Sequence, residues 1–279
     1  TATYPAVAEI IHKYTGIATM GIKLFISAAQ LLMPFFLGIC VGTALDVLTL
    51  PLVCGIAIAV LGVLAVFAPM PKVEGVGKGE SFLNNLKNAH FSIESVALIL
   101  IGFTCTATFQ LWLNCAQTFG KEIAGIPADS VAVMQTYYSA GSLVALFVTS
   151  ILTTKIKQVR FLVIYPIISL AMLALVYIVK SPMICYIGAF VIGYSAAGGV
   201  LQIATAVAND LFPKIKGTLT SLVMIASSLC NYTILTAASK MTASGVIVMN
   251  IAITAVGILL ALFVNAKYGV LLKNSEASK

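Results

Sequence analysis

Lys23, Ser27, Gln30 and Pro34 follow one another at steps of four, three and four in an apolar stretch, so a helix carries them on one face. An ammonium, a hydroxyl and a carboxamide in line can hold an anionic or polar organic group by charge and hydrogen bonding, without a covalent step. Lys23 is the sharpest of them. An ammonium at the centre of a bilayer costs about 2.5 to 3.5 kcal/mol, so its default place is against a cavity or a carboxylate. The competing reading is a four-carbon stem that snorkels back to the interface.

Four further stripes of polar residues share this helical spacing. They are Gln110, Asn114 and Gln117; Gln135, Ser139 and Ser142; Tyr194, Gly198, Gln202 and Thr205; and Thr220, Ser227 and Asn231. Phe109 and Trp112 flank the first as rings that could stack on a ring-bearing or sugar-like solute, although Trp112 alone reads better as packing or an interfacial anchor. The expected solute contacts are therefore Lys23, Gln30, Gln110, Asn114, Gln117, Gln135, Tyr194, Gln202 and Asn231. For every stripe the bland alternative is polar glue between helices, worth about 0.6 to 2 kcal/mol per contact.

Catalytic chemistry is not legible. His12 and His90 have no metal-spaced partner, and the six cysteines (Cys40, Cys54, Cys105, Cys115, Cys185, Cys230) lie apart inside apolar segments, as packing residues do. No carboxylate falls in the middle of an apolar segment: Asp46, Glu94, Asp129 and Asp210 all sit at segment ends. Neither a metal nor a cofactor is expected, and the chain does not read as an enzyme. Gly193-Tyr-Ser-Ala-Ala-Gly-Gly199 falls within an apolar segment and reads as close helix packing or a gating bend, not as a nucleotide loop.

The elements that must position these residues are membrane helices. The 279 residues are 60% apolar and 9% charged, with a mean hydropathy of +1.06, whereas soluble domains carry about 25% charged residues. Eight runs are long enough to cross about 30 Å of hydrocarbon at 1.5 Å per residue. They are Gly16 to Val41, Asp46 to Pro69, Ile93 to Phe119, Ser130 to Thr153, Phe161 to Val179, Met183 to Ala208, Gly217 to Ala238 and Gly245 to Ala266. Continuous apolarity without alternation favours helices over a barrel.

The formal charge of +7 is unevenly placed. Lys13, Lys72, Lys78, Lys87, Lys155, Lys157, Arg160, Lys214, Lys216, Lys267, Lys273 and Lys279 fall on one membrane face, and Lys121, Lys180 and Lys240 on the other. The positive-inside rule then puts both termini in the cytoplasm of a multi-pass plasma-membrane protein, and nucleic acid is not an expected partner. Residues 72 to 92 form the one polar break. Gly75, Gly77 and Gly79 loosen it, and Ser81 to Leu86 could lie on the membrane surface as a short amphipathic helix.

An internal echo links Val7-Ala-Glu to Val207-Ala-Asn and Gly16-Ile-Ala-Thr19 to Gly217-Thr-Leu-Thr220, and continues with Ser27 against Ser228 and Gln30 against Asn231. A parallel repeat of six-helix units would produce such an offset. Tyr4-Pro5 followed by Gly16 to Pro34 resembles the passage from the fourth into the fifth helix of major facilitator superfamily transporters, and the polar break resembles that family's link between its halves. The resemblance covers essentially the whole chain. It implies an all-α, polytopic membrane helix bundle of eight transmembrane helices, numbers five to twelve, with the first four missing, so that the chain reads as a fragment.

On that reading residues 1–70 are the remainder of an N-terminal bundle, 71–92 the cytoplasmic linker and 93–279 a C-terminal six-helix bundle with a cytoplasmic tail. The loop through Lys155, Lys157 and Arg160 is similar to the family's basic loop after its eighth helix, with Thr154 at the usual acidic position. The resemblance also implies a monomeric secondary transporter that moves a small polar or anionic solute by alternating access, with protons as a candidate coupling ion. The alternatives are a multidrug exporter of the same fold or a non-transporting membrane protein.

Overall fold

A computed structural model describes residues 24, 27–32, 49–67, 92–153, 155–212 and 216–276. Among them are eight α-helices: α1 Thr49–Phe67, α2 Ile93–Glu122, α3 Val133–Leu152, α4 Gln158–Val179, α5 Pro182–Ile192, α6 Val200–Leu211, α7 Lys216–Ala238 and α8 Ala243–Glu276. Residues 27–32 are helical as well. Lys23, Pro34, Cys40, both histidines and the Ser81 to Leu86 segment lie outside the described residues.

Local sequence accounts for the ends. Ser92 caps α2 by accepting from the Ser95 backbone N–H, which satisfies one of the free donors of the first turn. Lys180 ends α4 in the left-handed region at φ 51°, and Pro182 opens α5 where a missing N–H costs nothing. Five described helices, counting Pro182–Leu211 as one, are long and apolar enough to cross a membrane. The helix α3 is not among them, because Gln135, Thr136, Tyr137, Tyr138 and Ser139 make its first half polar.

Two observed boundaries differ from the expected ones. The last helix does not stop at Ala266 but runs on to Glu276. Tyr268, Leu271 and Leu272 continue its apolar stripe onto the core, and Lys267 pairs with Glu94 of α2 at 3.0 Å instead of ending the helix. The expected span from Met183 to Ala208 is present within Pro182–Leu211 but is interrupted inside. Residues Gly193–Ala197 form a π turn, and Gly199, at φ 102°, starts α6 in a conformation open to glycine.

That break sits where backbones nearly touch. A Cβ on Gly141 of α3 would overlap the Phe190 carbonyl, and one on Gly193 would overlap the Tyr138 carbonyl. The helix α3 and the α5–π segment thus cross through a reciprocal pair of glycines. Around the crossing, α2 packs on α7 and α8, and α4 on α5, α6 and α8.

The core has two main apolar bodies. One gathers Leu98, Ile101, Phe161, Leu162, Val207 and Leu219 towards the end of the bundle that holds Glu94 and Lys267. The other gathers Trp112, Phe119, Met134, Met172, Leu173 and Ile192 towards the opposite end. Between the two, buried hydroxyls pair across helices: Thr106 with Ser227 at 2.8 Å, Thr108 with Thr254 at 2.8 Å, and Ser169 with Ser195 at 2.6 Å. Asn250 is fully buried and donates to the Thr108 carbonyl at 3.1 Å. Truncating it removes this bond between α8 and α2, so Asn250→Ala is expected to cost about 1 to 2 kcal/mol, whereas Asn250→Leu should cost less. Unfolding in detergent and denaturant checks both variants.

Candidate functional site

The expected contacts do not share one environment. Gln30 is half-buried. One turn before it, Ser27 is fully buried and its Oγ lies 3.0 Å from the Ser142 Oγ of α3. The first stripe therefore faces the Gln135–Ser139–Ser142 stripe at that turn, and the two are joined by a neutral hydrogen bond. Lys23 belongs to the same stripe by spacing but lies outside the described residues.

On α2, the Asn114 Nδ2 donates to the Gln110 Oε1 at 3.0 Å and to the Gln110 carbonyl at 2.9 Å. This self-pairing of residues four apart holds both amides on the helix surface, Gln110 half-buried and Asn114 exposed. Gln117 is half-buried one turn further on. Trp112 points the other way, into the apolar core beside Gly188, in agreement with the packing reading. Gln135 is half-buried on α3. Ser139, one turn later, is fully buried and its hydroxyl has no hydrogen-bond partner.

Tyr194 lies in the π turn, half-buried, with its ring 5.6 Å from that of Tyr165 in an edge-on pair. Gln202, in the first turn of α6, is only 8% exposed. Asn231 of α7 is half-buried, and its shielded Oδ1 has no partner. Thr205 folds back onto the Gln202 carbonyl, and Thr220 donates to the Asn209 Oδ1 at 2.8 Å. Two residues singled out by spacing, Ser142 and Ser227, join helices in the way the bland reading expects.

The structure thus brings Gln110 to Asn114 and Ser27 to Ser142. Among the described residues the amides of Gln117, Gln135 and Gln202 form no hydrogen bond with one another. Sequence spacing missed the inner belt of Thr108, Ser169, Ser195, Asn250 and Thr254. The available signal was Asn250, an amide inside the last apolar run. A small recess, with room for about one water molecule, opens beside this belt, lined by Cys105, Thr108, Pro166, Ser169, Ser195, Ala196 and Val200. Its hydroxyls are already paired, so its wall is apolar.

Chemically, α2, α3, the π turn, α6 and α7 present amides, a phenol and two unpaired oxygens, but no described mid-span charge. Such walls bind by hydrogen bonding and shape. They contain no nucleophile–base pair, and among the described residues no three His, Cys, Asp or Glu gather to hold a metal ion.

Comparison with known proteins agrees with these features. The sequence model described as Major Facilitator Superfamily matches residues 1–232. The chain is 31% identical over 278 residues to the "Uncharacterized MFS-type transporter YfkL" of Bacillus subtilis (strain 168), an alignment covering 95% of this chain and 69% of that protein. It is 28% identical over 243 residues to the "Inner membrane transport protein YdiN" of Escherichia coli (strain K12), covering 84% of this chain and 56% of the relative. It is also 28% identical over 274 residues to the "Inner membrane transport protein YdiM" of the same organism, covering 95% and 67%. The chain thus spans between 56% and 69% of the length of these relatives.

Proposed function

The chain belongs to the major facilitator superfamily, and we propose that it works as part of a secondary active carrier that moves a small polar or anionic organic solute by alternating access. The observation that carries this reading is the family match over residues 1–232. The polar stripes support it, because a solute site near the bilayer midplane needs hydrogen-bonding groups on otherwise apolar helices. In this proposal α2 to α8 make up the second half of the carrier, residues 27–32 and α1 belong to the first, and residues 71–92 link the two at the cytoplasmic face.

The Ser27–Ser142 bond supports a rocking motion. It would join one half to the other through two neutral hydroxyls, a contact worth about 0.5 to 1.5 kcal/mol that a cycle can break and remake. Lys23 supplies the charge that the described walls lack, and Gln30, Gln110, Asn114, Gln117, Gln135, Tyr194, Gln202 and Asn231 orient the neutral part of the solute. If protons drive the cycle, the titrating carboxylate comes from outside the described residues and pairs with Lys23. The carrier functions as a monomer in the plasma membrane.

A thermal-stability screen of the whole purified protein against sugars, organic anions, amino acids and cationic drugs tests this reading. Stabilisation by a narrow group of polar or anionic solutes is expected. Stabilisation by many unrelated apolar cations, and by nothing polar, would instead favour a multidrug exporter of the same fold.

A further inference from the structure

We propose that Lys155, Lys157 and Arg160 form a docking site for the phosphate headgroup of an anionic phospholipid. The inference rests on the carrier reading in one respect, that this end of the bundle meets the cytoplasmic leaflet. Three cations fall within six residues, and all three are exposed. Between Asp129 and Asp210 the sequence holds no acidic residue, so neither helix joined by this loop can neutralise them. At the same end of the bundle the Glu94 carboxylate is held by Lys267.

The local backbone adds to the positive charge of the loop. Gln158 opens α4 with no acidic residue in its first turn and no side-chain cap. The free N–H groups and the partial positive charge of a helix start therefore lie next in sequence to Lys157 and Arg160, an arrangement that an anion from outside would stabilise. An anionic headgroup is the anion present at that depth of a bilayer. Apolar residues lead from the cations into the hydrocarbon, with Ile151 63% exposed on α3 and Ile164 43% exposed on α4, so acyl chains can lie alongside while the phosphate meets the cations.

The test is native mass spectrometry of the whole protein titrated with phosphatidylglycerol or phosphatidylcholine. It compares wild type, Lys155→Gln/Lys157→Gln/Arg160→Gln, and Lys121→Gln/Lys180→Gln from the opposite end. Phosphatidylglycerol affinity is expected to fall about fivefold for each cation removed from the loop, on the order of 100-fold for the triple variant, with phosphatidylcholine and the opposite-end variant unaffected. Equal phosphatidylglycerol binding by wild type and triple variant would overturn the proposal, as would equal losses from both ends. Displacement of the lipid by inorganic phosphate at matching concentration would also overturn it, in favour of a soluble-anion site. Should the triple variant fail to fold, the single variants give the same answer stepwise. Lipid binding is read without transport, so its failure leaves the carrier reading standing, and loss of the carrier reading leaves the binding result intact.

Discussion

Gly141→Val is expected to prevent the protein from accumulating in its folded form. A side chain there would strike the Phe190 carbonyl, and the nearest atoms beyond it are the Phe190 carbonyl carbon at 2.9 Å and the Tyr194 amide nitrogen at 3.0 Å. None of these is the end of a flexible side chain, so relief requires the two helices to separate. Overpacking a core costs about 1 to 3 kcal/mol even when side chains can adjust, and this site belongs at or above the upper end. Gly193→Val strikes the Tyr138 carbonyl from the other side and should behave alike.

The control is Gly55→Ala in α1, where an added Cβ meets nothing within 4 Å. There the expected change is a gain of about 0.5 to 1 kcal/mol from helix propensity. The yield of monodisperse protein in detergent, followed by thermal unfolding, separates the outcomes. Wild-type yield and stability for Gly141→Val would mean that α3 and the α5–π segment do not cross as described.

Lys23→Met should lower solute uptake by about tenfold or more, the effect of removing a hydrogen bond to a charged group worth about 1.5 to 3 kcal/mol. Methionine keeps much of the stem's length and apolar surface while deleting the charge. It thereby distinguishes a lysine that binds solute from one that only packs its stem and snorkels, for which uptake should hardly change. Initial rates at several solute concentrations, with protein levels matched, measure the effect.

The helical spans were legible because crossing a bilayer imposes a length and a continuous apolarity that the sequence displays directly. The expected spans from Ile93 to Phe119, Phe161 to Val179 and Gly217 to Ala238 differ from α2, α4 and α7 by only a few residues at their ends. Lys267 marked the end of the expected last span, whereas the helix runs on past it, and its partner Glu94 is contributed by α2, 173 positions away in sequence. The glycine run at 193–199 announced close packing, yet its reciprocal partner Gly141 and the π turn depend on how α3 and α5 cross.

Polar stripes were legible as faces but not as destinations. Helical spacing states which residues point together, and it is silent about whether they meet a neighbouring helix, lipid or a cavity. Thus Ser227 and Gln202 had equal standing in sequence, whereas the structure pairs Ser227 with Thr106 and leaves the Gln202 amide free of any partner among its fellow stripes. Asn250 escaped although Thr254 stands four positions on in the same span and its hydroxyl donates to the Asn250 carbonyl at 2.7 Å. The partner of the Asn250 amide is a backbone carbonyl on α2, which no residue type reveals.

Counterflow tests the carrier reading most directly. The whole protein is reconstituted in liposomes preloaded with the unlabelled solute chosen by the stability screen, and entry of the same solute in labelled form is followed. Alternating access predicts saturable entry that is faster into preloaded than into empty vesicles and transiently exceeds equilibrium. Entry that rises linearly with concentration and is indifferent to preloading would contradict a carrier.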